Sequence, residues 1–222
     1  MDRSKSDLHS GAALVVDDHP LFRLGFVAAW RLARPREPLV EASDLESARQ
    51  LLTSRTRLVV VDLLLPDGFG LELAATATRL RVPFVVLSTA DAPAIVEAVR
   101  RSGAAGFFSK ETDPQRILLE IDRILGDPSE RSFPARTALP ALTPREQDVL
   151  GGLLAGLGNR EIAERLGLGT ETVKSHTAML FTRLGASDRF EAVRIARDLG
   201  YDLALPYLQN GRAGESTASS GG

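Results

Sequence analysis

The stretch LVVVDLLLPDGFG, residues 58–70, decides the fold of this chain. Residues 58–61 are apolar without polar alternation, which is typical of a strand buried on both faces, and the run ends in a charged residue, Asp62. One proline and two glycines then break the pattern before a helix is predicted to begin near Leu71. Asp62 is therefore predicted to stand at the carboxyl end of a parallel strand, where open α/β sheets bind ligands.

The same alternation of strand and helix continues on both sides of this stretch. Apolar runs alternate with five helical patterns, which predicts an α/β fold with a doubly wound, five-stranded parallel sheet covered on both faces. The predicted strands are residues 12–16, 39–42, 58–62, 83–87 and 105–108, and the predicted helices are residues 21–32, 45–52, 71–80, 92–101 and 114–125.

Polar side chains follow four of the predicted strands. Because the carboxyl ends of parallel strands meet at one edge of the sheet, we expect these side chains to lie together. They are Asp17, Asp18, Asp62, Ser88 and Lys110.

This set fits phosphoryl transfer to a carboxylate. Asp17 and Asp18, with Asp62, would hold Mg²⁺, which prefers oxygen ligands, and Asp62 would attack phosphorus. Lys110 and the Ser88 hydroxyl would neutralise the phosphoryl oxygens in the transition state. Each residue alone has an ordinary explanation as a turn, a cap or a solvated charge, so the combination carries the prediction.

Composition limits the other classes. The chain has 44% hydrophobic and 25% charged residues, a net charge of −2 and no cysteine, which excludes disulfides and thiolate metal sites. No apolar run approaches the roughly 18 residues of a membrane span, and the first residues lack the apolar core of a signal peptide. We therefore expect a cytoplasmic protein that does not engage a membrane.

A linker is predicted at residues 126–141, which contain three prolines and little periodicity. Beyond it, helices are predicted from a capping box at Thr143 to about Ala155, and after caps at Asn159, Thr170 and Ser187. The predicted domains are therefore an arm (1–11), an α/β domain (12–125), the linker (126–141), a small all-α domain (142–208) and a disordered tail (209–222).

The second and third of these helices have the spacing of a helix-turn-helix. The turn at residues 167–169 is short, and Ala163 is small where the two helices must cross closely. The third helix then presents an outward face that could enter a DNA major groove. That face carries Thr170, Glu171, Lys174, Ser175 and Ala178.

Charge alone argues against DNA binding. Residues 141–209 contain eight basic and nine acidic side chains, whereas DNA-binding domains are usually basic. A helical hairpin that only packs is the alternative explanation.

The segments VVDDHPLFRLG, VVVDLLLPDGFG, VVLSTAD and GAAGFFSKE resemble the signature segments of a response-regulator receiver domain, which is flavodoxin-like. The resemblance implies that a histidine kinase phosphorylates Asp62, that Asp17 and Asp18 bind Mg²⁺, and that Ser88 and Lys110 contact the phosphoryl group. It also implies that Phe107 reports the activation state. Lys110 is followed by Glu111 where many receivers have proline, so the cis peptide often found there is not expected.

The segment from Leu142 onward, LTPREQDVLGGLLAGLGNREIAERLGLGTETVKSHTAMLFTRLGASDRFEAV, resembles a LuxR-type helix-turn-helix, and the pairing of domains is that of NarL/FixJ-type response regulators. The resemblance implies a homodimer on double-stranded DNA, with the last helix in the dimer contact. It places Lys174 and Ser175 in the groove, brings Thr170 and Arg189 to phosphates, puts Asn159 and Arg160 on the supporting helix, and makes His176 structural. Ala178 stands where relatives often carry a longer polar residue, which favours recognition through DNA shape.

The sequence thus predicts a transcription regulator, not an enzyme, controlled by phosphorylation of Asp62. Two alternatives remain: DNA binding that is independent of phosphorylation, and a phosphotransfer or partner-binding protein without DNA binding. A nucleotide-dependent enzyme would need a glycine fingerprint, and Leu73 stands where the third glycine belongs.

Overall fold

A computed structural model describes residues 11–135 and 137–210 and divides the chain into two compact units. The first contains the described residues up to Asp91 together with Ser102–Ala135; the second contains Ala92–Arg101 and the described residues after Ala135. The predicted arm, except for Gly11, and residues 211–222 of the predicted tail lie outside the described residues.

The first unit is built on a five-stranded, fully parallel sheet, as predicted. The strands are β1 (Ala13–Val16), β2 (Leu39–Ala42), β3 (Leu58–Asp62), β6 (Phe84–Ser88) and β7 (Gly106–Ser109), with a two-stranded hairpin, β4 (Leu64–Leu65) and β5 (Gly68–Phe69), after β3. The strand order is β2-β1-β3-β6-β7, so the chain winds in both directions from β1. The helices of this unit are α1 (Pro20–Ala33), α2 (Leu45–Leu51), α3 (Ala74–Leu80) and α5 (Pro114–Gly126), and a short 3-10 helix spans Gly70–Leu73.

Apolar side chains hold α1 and α5 against the sheet. Phe26 and Trp30 of α1 join Ile117 and Ile121 of α5 in one buried cluster with side chains of the central strands. Every residue of β3 is buried, which accounts for its unbroken apolar run. Asp62 is therefore the polar end of a strand that has no water-exposed face.

The strand register brings the predicted polar residues to one edge. Val16 of β1 pairs with Val61 of β3, so Asp17 lies beside Asp62. Asp62 pairs with Leu87, and Ser88 pairs with Ser109, the residue before Lys110. The edge predicted from the sequence is thus formed.

Some local structure of the first unit was not predicted. The β4–β5 hairpin forms within the predicted loop, and the 3-10 turn replaces the first residues of the helix expected from Leu71. β6 and β7 each begin one residue later than predicted. Part of the predicted linker extends the sheet, because Ser132 pairs with Gly106 and its carbonyl accepts from the Phe107 amide at 2.8 Å.

The second unit is helical. It contains α4 (Pro93–Arg101), α6 (Pro144–Leu154), α7 (Asn159–Leu166), α8 (Thr170–Leu184), α9 (Arg189–Asp198) and α10 (Tyr201–Asn210). The predicted spacing supplies the core, since Ile162, Val173, Thr177 and Leu180 are buried. The sequence did not predict α10, which includes the first two residues of the predicted tail. Within this unit the Ala94 amide donates to the Leu199 carbonyl at 2.9 Å.

Three predicted helix caps are wrong by one residue. Gly158, Gly169 and Asp188 are the N-caps, instead of Asn159, Thr170 and Ser187. At α7 the Glu161 carboxylate accepts from the Gly158 amide at 2.6 Å, so the cap needs no side chain of its own. The capping box at Thr143 is confirmed: its hydroxyl accepts from the Glu146 amide at 3.3 Å.

Among the helices that the structure describes, none has the length and apolar content needed to cross a bilayer.

Candidate functional site

A buried lysine joins two carboxylates at the carboxyl edge of the sheet. Lys110 Nζ lies 2.6 Å from Asp62 Oδ2 and 2.8 Å from Asp17 Oδ2. The side chains are nearly excluded from solvent, with 6% of Lys110, 4% of Asp62 and 2% of Asp17 exposed. The structure therefore brings together three of the predicted residues from three strands.

Burial raises the pKa of the Asp62 carboxyl above its ordinary value. The hydrogen bond and positive charge of Lys110 oppose this rise, while the negative charge of Asp17 adds to it. The Leu64 amide also donates to Asp62 Oδ1 at 3.4 Å. The Asp62 carboxylate is thus weakly solvated, and a buried group with a shifted pKa beside a specific charged partner is typical of functional sites.

Asp18 and the neighbouring His19 complete a group of four side chains that could ligate a metal ion. One ligand atom each from Asp17, Asp18, His19 and Asp62 lie within 4.8 Å of one another. Asp18 Oδ1 is buried and has no hydrogen-bond partner within the described part of the chain. Three carboxylates face one ammonium group, so a divalent cation would balance the remaining charge.

Ser88 and Phe107 lie on the neighbouring strands. The Ser88 hydroxyl is buried and accepts from the Ala90 amide at 3.1 Å, while the Ser88 carbonyl accepts from the Lys110 amide at 3.0 Å. Phe107 is buried within β7. The structure thus places Ser88 against the backbone of Lys110 and Phe107 inside the fold.

Three further residues support this edge and were not singled out from the sequence. A Cβ atom on Gly70 would collide with the Asp62 carbonyl oxygen, so this position requires glycine. An Arg23 guanidinium nitrogen donates to the Asp17 carbonyl, and Lys110 Nζ lies 4.8 Å from the centre of the Phe22 ring. The close approach at Gly70 could have been suspected from the sequence, because a glycine that follows the proline break often marks a close backbone contact.

The outward face of α8 contrasts with this buried edge. Lys174, Ser175 and Ala178 are all exposed, and 56% of the Lys174 side chain is accessible. Lys174 Nζ donates to Glu171 Oε1 at 2.7 Å, and the Ser175 hydroxyl donates to the Glu171 carbonyl at 3.0 Å. The helix therefore presents short polar side chains and one cation along one face.

The other predicted DNA residues differ in accessibility. Arg160 is exposed and pairs with Glu164 at 3.2 Å, whereas Asn159 and Thr170 are partly buried at helix starts. Arg189 donates to the Leu157 carbonyl, so its guanidinium is engaged within the helical unit. His176 is half-buried.

An ion pair between the exposed Arg183 and the buried Glu146 joins α8 to α6. Arg183 Nε lies 2.9 Å from Glu146 Oε2, and Arg183 also donates to the Ala141 carbonyl at 2.9 Å. Glu146 is buried and belongs to the capping box of α6, so one carboxylate serves both the cap and the contact between helices. This pair fixes the helix that carries the outward face.

Two family models match the chain along these two units. The response regulator receiver domain matches residues 13–122, and the bacterial regulatory proteins of the luxR family match residues 140–196. The chain is a response regulator of the NarL/FixJ type. It therefore combines a receiver with a LuxR-type DNA-binding domain, as do transcription regulators controlled by phosphorylation.

Curated relatives agree with this assignment. This response regulator is 32% identical over 198 residues to a probable transcriptional regulatory protein NarL of Mycobacterium tuberculosis, covering 81% of this chain and 90% of the relative. It is 31% identical over 186 residues to the transcriptional regulatory protein UhpA of Escherichia coli, covering 81% and 94%. The alignments with these two transcriptional regulatory proteins thus cover at least 90% of each relative.

A solved structure shares the fold. A structure of two RcsB dimers bound to two parallel DNAs aligns with a TM-score of 0.64 at 20% identity, covering 86% of this chain and 99% of that one. This likeness supports the arrangement of a parallel-sheet domain followed by a helical domain.

Proposed function

We propose that Asp62 accepts a phosphoryl group from a sensor histidine kinase in the cytoplasm and that this modification controls DNA binding by α8. The observation that carries the proposal is the buried bridge from Lys110 to both Asp62 and Asp17. A cation held between two buried carboxylates at a strand edge is costly to maintain as a purely structural feature.

The chemistry follows from the positions of the side chains. A carboxylate oxygen of Asp62 attacks phosphorus, the bond from phosphorus to the donor atom breaks, and the donor leaves with the electron pair. The attacking group is the carboxylate form of Asp62, whose charge Lys110 stabilises, so the step needs no general base. Lys110 then exchanges its contact with Asp62 Oδ2 for a phosphoryl oxygen, which neutralises charge in the transition state.

Mg²⁺ fits the acidic pocket. The Asp18 oxygen without a hydrogen bond and the excess of carboxylates over ammonium groups suit a divalent ion with oxygen ligands. We propose that Asp17, Asp18 and Asp62 hold it. When bound, the ion would supply positive charge to the phosphoryl oxygens.

We propose Ser88 and Phe107 as the switch. The Ser88 hydroxyl exchanges the Ala90 amide for a phosphoryl oxygen, and the buried Phe107 ring repacks when β6 shifts. Phosphorylation in this way changes packing within the fold as well as the charge of the pocket.

The DNA surface is the outward face of α8. We propose that Lys174 and Ser175 enter the major groove of double-stranded DNA and that Thr170 approaches a phosphate, with Asn159 and Arg160 on the supporting helix. Arg189 is proposed to approach a phosphate through guanidinium donors that the Leu157 carbonyl does not occupy. A homodimer on DNA is supported by the RcsB dimers named above.

Labelling with acetyl phosphate tests the phosphoacceptor. The wild-type chain with Mg²⁺ incorporates the phosphoryl group, and Asp62→Asn does not. Asp67→Asn is the matched control, because Asp67 lies in the following loop and accepts from the Leu45 amide at 2.8 Å. Equal labelling of wild type and Asp62→Asn would overturn the assignment of Asp62.

Capture of genomic DNA tests the regulation. The phosphorylated chain should enrich specific fragments that the unphosphorylated chain recovers weakly. Identical enrichment in both states would show that DNA binding does not depend on phosphorylation, and no enrichment in either would exclude the DNA surface.

A further inference from the structure

His19 contributes a nitrogen atom to a pocket that otherwise offers only oxygen atoms. His19 Nδ1 lies 2.7 Å from Asp18 Oδ1, 3.4 Å from Asp17 Oδ1 and 3.6 Å from Asp62 Oδ2. The ring is 64% exposed, so it stands at the mouth of the pocket while the carboxylates of Asp17 and Asp62 lie inside.

The separation of His19 Nδ1 and Asp18 Oδ1 is one that two ligands of a single cation could adopt. Asp18 Oδ1 accepts no hydrogen bond although the ring nitrogen is 2.7 Å away. In an octahedral shell with ligands at about 2.1 Å from the metal, neighbouring ligand atoms lie about 3 Å apart. The observed separation is therefore close to that of adjacent ligands.

The Lys110 ammonium also approaches the His19 ring. Lys110 Nζ lies 3.4 Å from His19 Nδ1, the same nitrogen that faces Asp18 Oδ1. Neutral imidazole is a common metal ligand. Lys110 thus occupies the same side of His19 on which a cation would be bound.

We propose that His19 is a fourth ligand of the cation held by Asp17, Asp18 and Asp62, and that it makes this centre prefer divalent ions of the Mn²⁺ to Ni²⁺ series over Mg²⁺. The inference rests on the acidic site of the proposed function. Imidazole adds little to Mg²⁺ binding, whereas affinity for nitrogen-containing sites rises from Mn²⁺ through Co²⁺ to Ni²⁺. The centre would thereby respond to which divalent ion is available.

Calorimetric titration of the untagged, full-length chain tests the preference. Ni²⁺, Co²⁺ and Mg²⁺ are titrated into wild type, His19→Gln and the control His176→Gln, whose ring lies half-buried on α8. His19→Gln should weaken Ni²⁺ binding by at least about tenfold, since even loss of an outer partner of a ligand costs that much. The same variant should change Mg²⁺ binding by less than about twofold, because oxygen ligands hold that ion.

A spectroscopic measurement identifies the ligand directly. Pulsed electron paramagnetic resonance of bound Mn²⁺ should show modulation from a coordinated ¹⁴N nucleus in wild type and in His176→Gln, and none in His19→Gln. Absence of the modulation in wild type, or its persistence in His19→Gln, would overturn the proposal. Equal Ni²⁺ affinity of wild type and His19→Gln would do the same.

Labelling with acetyl phosphate in Mg²⁺ separates the two proposals. Nitrogen coordination without labelling of Asp62 would refute the phosphoacceptor and leave the His19 ligand standing. Labelling of Asp62 with no nitrogen signal would refute the ligand and leave the phosphoacceptor standing. A second variant, His19→Phe, covers the case in which glutamine itself binds the ion through its carbonyl oxygen.

Discussion

Two lysines pair with carboxylates at nearly equal distances in very different surroundings. Lys110 Nζ is 2.6 Å from Asp62 and Lys174 Nζ is 2.7 Å from Glu171. The first pair is buried, with 6% and 4% of the side chains exposed, whereas 56% and 85% are exposed in the second. The N···O distance alone therefore does not distinguish a buried ion pair from an exposed one.

Burial decides what each pair can do. A buried charge whose partner is removed stays uncompensated, so Lys110, Asp17 and Asp62 depend on one another. An exposed pair contributes little to stability because water replaces either partner. Lys174 can thus leave Glu171 for a DNA phosphate at small cost, while Lys110 can leave Asp62 only for another anion in the same pocket.

The largest expected effect is a loss of stability in Lys110→Met, which is compared with the same substitution at Lys174. Lys110→Met should lower the free energy of unfolding by about 3–5 kcal/mol in metal-free buffer, because two buried carboxylates lose their counter-charge. Denaturant titration measures the change. Adding Mg²⁺ should restore part of the loss, since the ion supplies the missing positive charge.

Lys174→Met is the matched control and should change the free energy of unfolding by no more than about 0.5 kcal/mol. Equal destabilisation by the two substitutions would remove the contrast between the buried and the exposed pair.

A second effect concerns the backbone of the buried site. Gly70→Ala should lower the free energy of unfolding by about 1–3 kcal/mol, because the new Cβ would collide with the Asp62 carbonyl. Gly151→Ala on α6, where a Cβ meets nothing, is the control and should leave the protein as stable or more so. A stable Gly70→Ala chain that is labelled as fast as wild type would contradict the close approach at Asp62.

On the exposed face the expected effect is on binding. Lys174→Met should weaken binding to a captured DNA fragment by roughly three- to tenfold and lower the salt slope by about one, the signature of a lost phosphate contact. Fluorescence anisotropy at several salt concentrations measures both. Arg145→Met, which removes an exposed cation from α6, is the control; an equal loss there would indicate that only overall charge matters.

The smallest expected effect comes from the partner of Lys174. Glu171→Gln should tighten DNA binding by about two- to threefold, because it releases the lysine and removes a negative charge near the phosphates. Weaker binding of this variant would show that Glu171 itself contacts the bases, as carboxylates do with cytosine.

The sequence predicted the sheet well because burial on both faces leaves a strong pattern. The strand that ends at Asp62 was predicted with its observed bounds, and the polar residues at the carboxyl ends of β1, β3, β6 and β7 meet at one edge as expected. Parallel pairing makes this outcome nearly automatic, since it fixes which strand ends meet.

Local contacts were less predictable. The cap of α7 depends on Glu161 reaching back to Gly158, and the engagement of Arg189 depends on a carbonyl exposed at Leu157. Neither leaves a periodic signal in the sequence. The place of His19 in the pocket was missed because an exposed histidine after two acids is common, and only the distances show that its ring lies beside the carboxylates.

The register of β3 has a consequence for the tolerance of this protein to changes in length. Side chains alternate between the two faces of a strand, so deletion of a single residue from Val59–Val61 would turn Asp62 to the opposite face of the sheet. The turn between α2 and β3, at the far end of the sheet, carries no such constraint. Homologous chains should therefore tolerate insertions in this turn, whereas the length of β3 must stay constant to keep the Asp62 carboxylate at the edge of the sheet.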